Sequence, residues 1–187
     1  ATEDYSLARR LFLYVRANSE NPYMRDFIEF ALSFKGQEVV AQTGFVDMTI
    51  RFFPSNPELK SVLRDPNVRK QYANLIQEGK RLSTNFRFHP ADARLDNRGV
   101  KDLERLVEFL KNNLDKKIVL VGFTDSAGDY EFNQKLALER AKSVGKELSA
   151  RGLVVAEVIG VGQERNIASN ETESGRAKNR RVEVWIY

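Results

Sequence analysis

The amino-acid sequence predicts an α/β protein of the α+β type: a two-layer sandwich in which two helices cover one face of a four-stranded mixed sheet. Residues 118–121 form a continuous apolar run rich in β-branched residues, as expected of a strand buried on both faces. Stretches with helical spacing of apolar residues lie on either side of this run. The order strand, helix, strand, helix, strand, loop, strand favours helices packed together on one sheet face.

The other elements of this region follow in order along the chain. Phe86 and Phe88 alternate with polar residues and predict the first strand. Asp96 is placed to cap the first helix, a second helix is predicted from Tyr130 to Ala150, and a third strand from Val154 to Ile159. The apolar positions of the first helix are Val100, Leu103, Leu106, Val107 and Leu110. Those of the closing strand are Val182, Val184 and Ile186.

The first 80 residues are predicted to form an appendage and a linker outside this fold. Residues 7–16 alternate enough for a strand, and Asn21-Pro22 begins a helix that Gly36 is expected to end. Residues 51–80 contain several prolines, which indicate a linker with a helix near 67–79. We therefore predict three parts: a strand–helix appendage at 1–50, a linker at 51–80 and the main domain at 81–187.

The closing strand raises the question of what covers the second sheet face. Alternation with the apolar positions places Arg181, Glu183, Trp185 and Tyr187 on the face opposite the two helices. We expect Trp185 and Tyr187 either to be covered by part of residues 1–80 or by a partner, or to remain partly exposed. Arg180 and Arg181 are interpreted as a solvated pair.

Composition excludes several classes of function. The 187-residue chain has no cysteine, which rules out thiol catalysis, disulfides and zinc–thiolate sites. A single histidine, His89, rules out a histidine-rich metal site, and no catalytic role or cofactor is predicted. A net charge of +4, spread over short scattered clusters, argues against a nucleic-acid partner. No apolar run is long enough for a membrane helix, so no direct membrane insertion is expected.

The candidate site lies where the buried strand ends. Asp125 is located in a glycine-bearing loop, Gly122 to Gly128, between this strand and the next helix, where α/β sheets tend to bind ligands. On a helical wheel started at Phe132, the apolar stripe centres at about 110°, with Arg140 at about 80° and Asn133 at about 100°. A guanidinium on a core face requires an acidic partner or a path to water, and Asp125 is the nearest acid by topology.

Two interpretations of Asp125 and Arg140 follow. The first is a purely structural ion pair that fixes the helix to the strand, which single-sequence reasoning favours because such pairs outnumber binding sites. The second is a zwitterion clamp, meaning that Asp125 binds an ammonium and Arg140 a carboxylate of the same small ligand.

Two motifs in the main domain resemble the OmpA-like peptidoglycan-binding family. The first is Gly122-Phe-Thr-Asp125 with Gly128, Asn133, Leu136 and Arg140-Ala141, and the second is the stretch 170–183, which contains Asn179-Arg180-Arg181. The resemblance covers roughly 82–187 and implies non-covalent binding of peptidoglycan through diaminopimelate, without catalysis. It assigns the ligand's ammonium to Asp125, its carboxylate to Arg140 and a third contact to Arg180, and it implies that Thr124 and Asn133 orient the loop.

Some positions depart from the family pattern. His89 and Asp92 occupy the places where the family usually has an acid and a serine, so one contact at the rim of the site is put in question. Ala137 replaces a serine and Asn166 a proline, changes that we expect to leave the clamp intact.

The first 50 residues resemble the closing segment of phosphate-type periplasmic solute-binding proteins, through Tyr5 to Tyr14, Asn21-Pro22, Phe27 to Leu32 and Gly44-Phe45-Val46. We interpret them as the remnant of a larger solute-binding domain, and phosphate binding by this chain alone is not expected. Both resemblances imply a periplasmic or cell-envelope location, with outer-membrane association left open.

Two rival functions are retained. A basic nucleic-acid module would bind independently of Asp125 and with a steep dependence on salt. A structural domain that forms homo-oligomers through Trp185 and Tyr187 is compatible with wall binding. The alternative to wall binding is a structural or oligomerisation domain of a periplasmic phosphate-uptake-type protein, in which the Asp125–Arg140 pair is purely structural. Peptidoglycan binding is the main prediction.

Overall fold

The computed structural model describes residues 13–16, 20–53, 64–95, 97–113 and 115–187, without the side chains of 97 and 98. These residues divide into two compact units, one ending at Thr49 and the other beginning at Ile50. The predicted cap Asp96 and most of the predicted strand 7–16 lie outside the described residues.

The first unit is helical. Its helices are α1 (Pro22–Leu32) and α2 (Phe34–Gln42), and Asn21 caps α1 by accepting a hydrogen bond from the Tyr23 amide at 3.0 Å. Residues 13–16 do not form a strand, so this part of the predicted strand is wrong.

The sequence predicted that Gly36 would end the first helix, and this prediction is wrong because α1 ends at Leu32. Ser33 separates α1 from α2, and its hydroxyl caps α2 by accepting a hydrogen bond from the Gly36 amide, so that Gly36 lies in the first turn of the second helix. A Cβ at Gly36 would lie 2.0 Å from the Phe30 carbonyl oxygen, which explains why glycine is required there. The Gln37 side chain then ties the unit together through the Ala31 carbonyl and the Met48 amide.

The second unit contains a five-stranded mixed sheet with the order β1-β2-β5-β3-β4. Of the strand pairs in the described residues, only β3 and β4 are parallel. The strands are β1 (Phe52–Phe53), β2 (Lys80–Arg87), β3 (Ile118–Phe123), β4 (Val155–Gly162) and β5 (Arg181–Ile186), and the helices are α3 (Pro66–Glu78), α4 (Asn97–Lys111), α5 (Tyr130–Ser149) and α6 (Glu173–Asn179).

The predicted α+β class with a mixed sheet is confirmed, and the sheet has one strand more than the four expected. The additional strand β1 consists of two residues from the predicted linker, which pair with Leu82 and Arg81 of β2. A strand this short has no readable alternation, so the sequence pattern could not reveal it.

Helices α4 and α5 pack on one face of the sheet, as predicted. Leu103, Leu106 and Leu110 of α4 are buried together with apolar residues of α5 and of the strands. Helix α5 comes very close to β3, because a Cβ at Gly122 would lie 1.9 Å from the Ala137 carbonyl oxygen. This close approach fixes the start of α5 beside the carboxyl end of β3.

Helix α3 covers the second sheet face. Its residues Tyr72, Leu75 and Ile76 pack against the buried ring of Trp185 and against apolar residues of β3 and β4. One of the predicted possibilities, cover supplied by residues 1–80, is therefore confirmed for Trp185, while Tyr187 stays 41% exposed. Trp185 is consequently not available as the oligomerisation contact considered from the sequence.

The interpretation of Arg180 and Arg181 as a solvated pair is wrong, because both are buried. Arg181 pairs with Glu183 at 2.8 Å, and its guanidinium carbon lies 3.8 Å from the centre of the Phe123 ring. Burial alone would raise the pKa of Glu183, but Arg181, Arg81 and a hydrogen bond from Trp185 outweigh it and hold that pKa below its usual value. Alternation identified the face correctly but could not show that α3 buries it.

Candidate functional site

The candidate site is built on the turn that connects β3 to α5. This turn runs from Thr124 to Gly128, whose φ of +90° favours glycine, and Asp129 then caps α5 by accepting from the Phe132 amide. Asp125 Oδ1 accepts a hydrogen bond from the Ala127 amide at 3.2 Å. The turn therefore holds the Asp125 carboxylate at the carboxyl end of a buried strand.

Asp125 is paired with Arg180, from the start of the final strand segment. Arg180 Nη1 donates to Asp125 Oδ2 at 2.7 Å, and both side chains are almost fully buried. The same guanidinium donates to the Phe88 carbonyl at 3.1 Å and to Glu173 of α6 at 2.6 Å. Burial opposes the charge of Arg180, but its bonds to Asp125 and Glu173 outweigh it and raise the pKa above the ordinary value.

Arg140 is completely buried, as its place in the apolar stripe predicted, yet it has no carboxylate bonded to it among the described residues. Its Nε, Nη1 and Nη2 donate to the backbone carbonyls of Asp92, Phe123 and His89, at 2.9, 3.3 and 2.9 Å respectively. Burial lowers the pKa of Arg140 to about 10, with the field of Asp125 opposing this shift in part. Arg140 thus remains a cation at neutral pH.

The predicted structural ion pair between Asp125 and Arg140 is therefore wrong. The two side chains form no direct ion pair among the described residues, because Arg180 occupies the carboxylate of Asp125 and three carbonyl oxygens surround Arg140. The helical wheel placed Arg140 on the correct face but did not reveal that backbone oxygens would accept its hydrogen bonds.

Asn133 and Thr124 flank the turn in different ways. The Asn133 side-chain amide is buried and donates to the Ala127 carbonyl at 2.9 Å and to Gln163 Oε1 at 2.6 Å, joining the turn to the loop after β4. The hydroxyl of Thr124 is also buried, and no described residue forms a hydrogen bond with it. All five predicted site residues thus lie in or directly against the turn.

A second loop, which the sequence reasoning did not assign to the site, holds the turn from the other side. Asn179 is fully buried, accepts from the amides of Ile167 and Ala168, and donates to Asn170 Oδ1 at 2.8 Å. Asn170 Oδ1 in turn accepts from the Ser126 amide at 3.3 Å. Both asparagines lie in the closing motif, which was the only sequence signal for them.

The rim of the site contains His89, Asp92 and Arg94. The His89 side chain is exposed, whereas its carbonyl is one of the acceptors of Arg140. Hydrogen bonds from Arg94 lower the pKa of Asp92 to about 2. Within the described part of the chain, no group of three or more acidic or histidine side chains could hold a metal ion, and no helix is long and apolar enough to cross a membrane.

Fold and site together define a small α+β domain with a buried cluster of charged side chains at the carboxyl end of a parallel strand pair. The sequence model of the OmpA family matches residues 87–180, about half of the chain and all elements of the site, and the chain belongs to this family. The predicted OmpA-like resemblance is thereby confirmed, whereas the solute-binding resemblance of residues 1–50 stays a prediction.

The chain is similar to several characterised members. The probable lipoprotein YiaD of Escherichia coli is 33% identical over 56% of this chain and 49% of YiaD. The peptidoglycan-binding protein ArfA of Mycobacterium tuberculosis is 42% identical over 45% of this chain and 26% of ArfA. The crystal structure of the peptidoglycan-associated lipoprotein of Burkholderia pseudomallei aligns with a TM-score of 0.51 and 27% identity, covering 55% of this chain and 89% of that structure.

The matched part spans half or less of the two curated relatives. Relatives of this family include outer-membrane lipoproteins and porins, in agreement with the predicted cell-envelope location.

Proposed function

We propose that this domain binds peptidoglycan non-covalently, through the diaminopimelate of the stem peptide, and so anchors a cell-envelope protein to the wall without performing a reaction on it. Membership of the OmpA family and similarity to a protein named as peptidoglycan-binding support the wall as partner. One observation carries the choice of ligand chemistry: the buried guanidinium of Arg140 donates to backbone carbonyls and to no acidic side chain among the described residues.

Arg140 is suited to bind a carboxylate because it retains unused donors. A guanidinium has five N–H groups, and the three carbonyl bonds use one on each nitrogen. One N–H therefore remains on Nη1 and one on Nη2, the pair that forks onto the two oxygens of a carboxylate. In a buried place such a charge-assisted pair is strong, and binding would also supply the countercharge that Arg140 lacks.

Asp125 is suited to bind the ammonium of the same ligand. Each of its oxygens accepts one hydrogen bond, from Ala127 and from Arg180, and a carboxylate oxygen has two acceptor positions. An ammonium can therefore bond to Asp125 without displacing Arg180. Arg180 is assigned the role of holding Asp125 in place, in addition to any contact of its own with the ligand.

The charges of the site favour a zwitterion over a simple anion. Arg180 is balanced by Asp125 and by Glu173, whereas Arg140 has no bonded partner of opposite charge in the part of the chain that the structure describes. A ligand with a carboxylate and an ammonium on one carbon would satisfy Arg140 and Asp125 together and leave the net charge of the site unchanged. Diaminopimelate within a stem peptide keeps one such pair free.

Entry of the ligand requires a local adjustment at the rim. Arg140 has no exposed surface, because the segment carrying the His89 and Asp92 carbonyls lies over it. The ligand's carboxylate would take the outer positions of the guanidinium while this segment shifts. Free diaminopimelate is expected to bind in the micromolar to millimolar range, roughly −8 to −4 kcal/mol, the usual range for small charged ligands in water.

Co-sedimentation with purified wall material tests the proposal. Sacculi containing diaminopimelate should pellet the wild-type protein in a saturable manner, and sacculi with lysine at the same stem position should pellet much less. Asp125→Asn and Arg140→Gln should abolish pelleting. Asp115→Asn and Arg151→Gln serve as matched controls, because each removes a charge from a surface ion pair outside the site.

Circular dichroism establishes that each variant is folded before its binding is compared. If Arg140→Gln fails to fold, Asp125→Asn still tests the proposal. Its side-chain amide has the same shape as the carboxylate, and Arg180 stays paired with Glu173, so we expect this variant to fold. Equal pelleting on both kinds of sacculi, or full binding by Asp125→Asn, would contradict the assignment of diaminopimelate to this site.

The N-terminal residues are a separate part of the proposal. We keep residues 1–50 as a segment derived from a periplasmic solute-binding protein, residues 51–80 as a linker whose helix α3 packs on the sheet, and 81–187 as the wall-binding domain. Calorimetric titration with inorganic phosphate should show no binding, since the segment lacks phosphate-binding loops. Saturable phosphate binding by this chain would contradict that prediction, and light scattering would establish whether the chain forms the homo-oligomer considered from the sequence.

A further inference from the structure

The loop that follows β4 connects the wall-binding turn to the segment preceding α3. Gln163 Oε1 accepts from the Asn133 side chain at 2.6 Å, and the same Asn133 amide donates to the Ala127 carbonyl in the turn at 2.9 Å. The next residue, Glu164, contacts Arg64, which precedes α3, and Tyr130, which begins α5. Consecutive residues of one loop therefore join the binding turn to a distant part of the chain.

Glu164 is a partly buried acceptor for two parts of the chain. Its carboxylate accepts from the Arg64 amide at 3.0 and 3.2 Å and from the Tyr130 hydroxyl at 3.3 Å, and its side chain is only 13% exposed. The guanidinium carbon of Arg64 lies 5.1 Å from the centre of the Tyr130 ring, which reinforces this arrangement. Tyr130 is the first residue of α5, three positions before Asn133.

We propose that Glu164 is a positioning residue of the wall-binding site. By holding the 163–164 loop against Arg64 and Tyr130, it fixes Gln163, which orients Asn133 and through it the turn carrying Asp125. Glu164 contacts none of the five predicted site residues directly, so its effect on binding is indirect. This inference rests on the proposed function for its binding readout, and it has a second readout that does not require a ligand.

Two substitutions at Glu164 separate positioning from a simple effect of charge. Glu164→Ala removes the acceptor, whereas Glu164→Gln keeps an acceptor oxygen and removes only the charge. The expected result is that Glu164→Ala binds meso-diaminopimelate roughly 3- to 30-fold more weakly, the range seen for residues that act on a site without touching the ligand. Glu164→Gln should stay close to wild type.

Glu147→Ala is the matched control, because Glu147 also pairs with an arginine of the same domain, Arg151, but at the far end of α5. It should bind like wild type. Equal weakening in Glu164→Ala and Glu164→Gln would show that the charge acts through space and would overturn the proposal. Unchanged binding in Glu164→Ala would overturn it as well.

The ligand-free readout is the exchange of the buried Asn133 side-chain amide protons with water, followed by NMR. Glu164→Ala should accelerate this exchange, while Glu164→Gln and Glu147→Ala should leave it at the wild-type rate. If wild type does not bind meso-diaminopimelate, the proposed function fails, and this measurement still decides the role of Glu164. Unchanged exchange in Glu164→Ala would overturn the positioning role.

Discussion

Asp125 Oδ2 lies 2.7 Å from Nη1 of Arg180, a residue 55 positions further along the chain. This ion pair, and not one between Asp125 and Arg140, joins the binding turn to the end of α6. Because Arg180 neutralises Asp125 while Arg140, among the described residues, donates only to backbone carbonyls, the two arginines of the site have different roles. Arg180 holds the site together and Arg140 provides its unmatched charge.

A double-mutant cycle measures how much the Asp125–Arg180 ion pair contributes to the stability of the fold. Asp125→Asn, Arg180→Gln and the double variant should give a coupling energy of about 1–3 kcal/mol in urea unfolding, as for contacting buried residues. The corresponding cycle between Glu173 and Arg180 should give a smaller value, because the Glu173 side chain is 61% exposed and screened by water. A larger coupling for Glu173 would contradict this division.

Arg140 should also contribute to stability, because three carbonyl oxygens depend on it. Arg140→Met keeps the aliphatic volume but leaves buried acceptors without donors, so we expect the free energy of unfolding to fall by roughly 2–4 kcal/mol. Arg151→Met, at the exposed end of α5, should change it little. Urea denaturation of both variants gives the comparison, and an unchanged stability in Arg140→Met would mean that water replaces the lost donors.

Stability should depend on pH through the buried Glu183. Burial alone would raise its pKa, but the positive charges of Arg181 and Arg81 lower it by a larger amount. The pKa of Glu183 in the folded protein therefore lies below the ordinary value of 4.5. The unfolded chain therefore takes up the proton first, and this contribution is complete above pH 4.5 and is lost as the pH falls through the folded pKa.

Urea unfolding between pH 7 and 3 tests this dependence. The Glu183→Gln variant should lose less stability than wild type over the acidic part of the range, while the surface variant Glu147→Gln should follow the wild-type curve. Parallel curves for wild type and Glu183→Gln would contradict the prediction.

Helix α3 should behave as part of the folded domain. Leu75 is buried against the second sheet face, so Leu75→Ala should lower the free energy of unfolding by about 2–4 kcal/mol. Trp185 is the only tryptophan in the sequence and is 2% exposed beneath α3. Its fluorescence should therefore resist quenching by acrylamide in the wild-type protein, and free quenching would show that α3 does not cover the sheet.

The sequence predicted those features of the site that depend on a single helix or a single strand. The helical period of α5 placed Arg140 and Asn133 on its buried side, and the apolar run of β3 placed Asp125 at a strand end. The partner of Asp125 could not be predicted, because it depends on β5 lying beside β3 in the sheet order. The acceptors of Arg140 are backbone oxygens, which carry no residue-specific signal.

The fold was predictable to a similar extent. Alternation in β5 identified which side chains share a face, but the burial of Arg181 depends on α3, whose docking on the sheet requires long-range contacts. The two-residue strand β1 and the helix break at Ser33 were missed because proline-rich or short segments have no period to detect.

Calorimetric titration of wild-type protein with meso-diaminopimelate and, under the same conditions, with L-lysine tests the central claim most directly. L-Lysine is diaminopimelate without one of its two carboxylates, so its second end carries an ammonium but no carboxylate. Presented with their shared amino-acid end blocked as an N-acetyl amide, diaminopimelate keeps a free zwitterion and lysine keeps only an ammonium. The account predicts saturable binding of the blocked diaminopimelate and at least about 30-fold weaker binding of the blocked lysine, since Arg140 would lack its carboxylate. Equal affinity for the two blocked ligands would contradict the claim that Arg140 recognises the carboxylate.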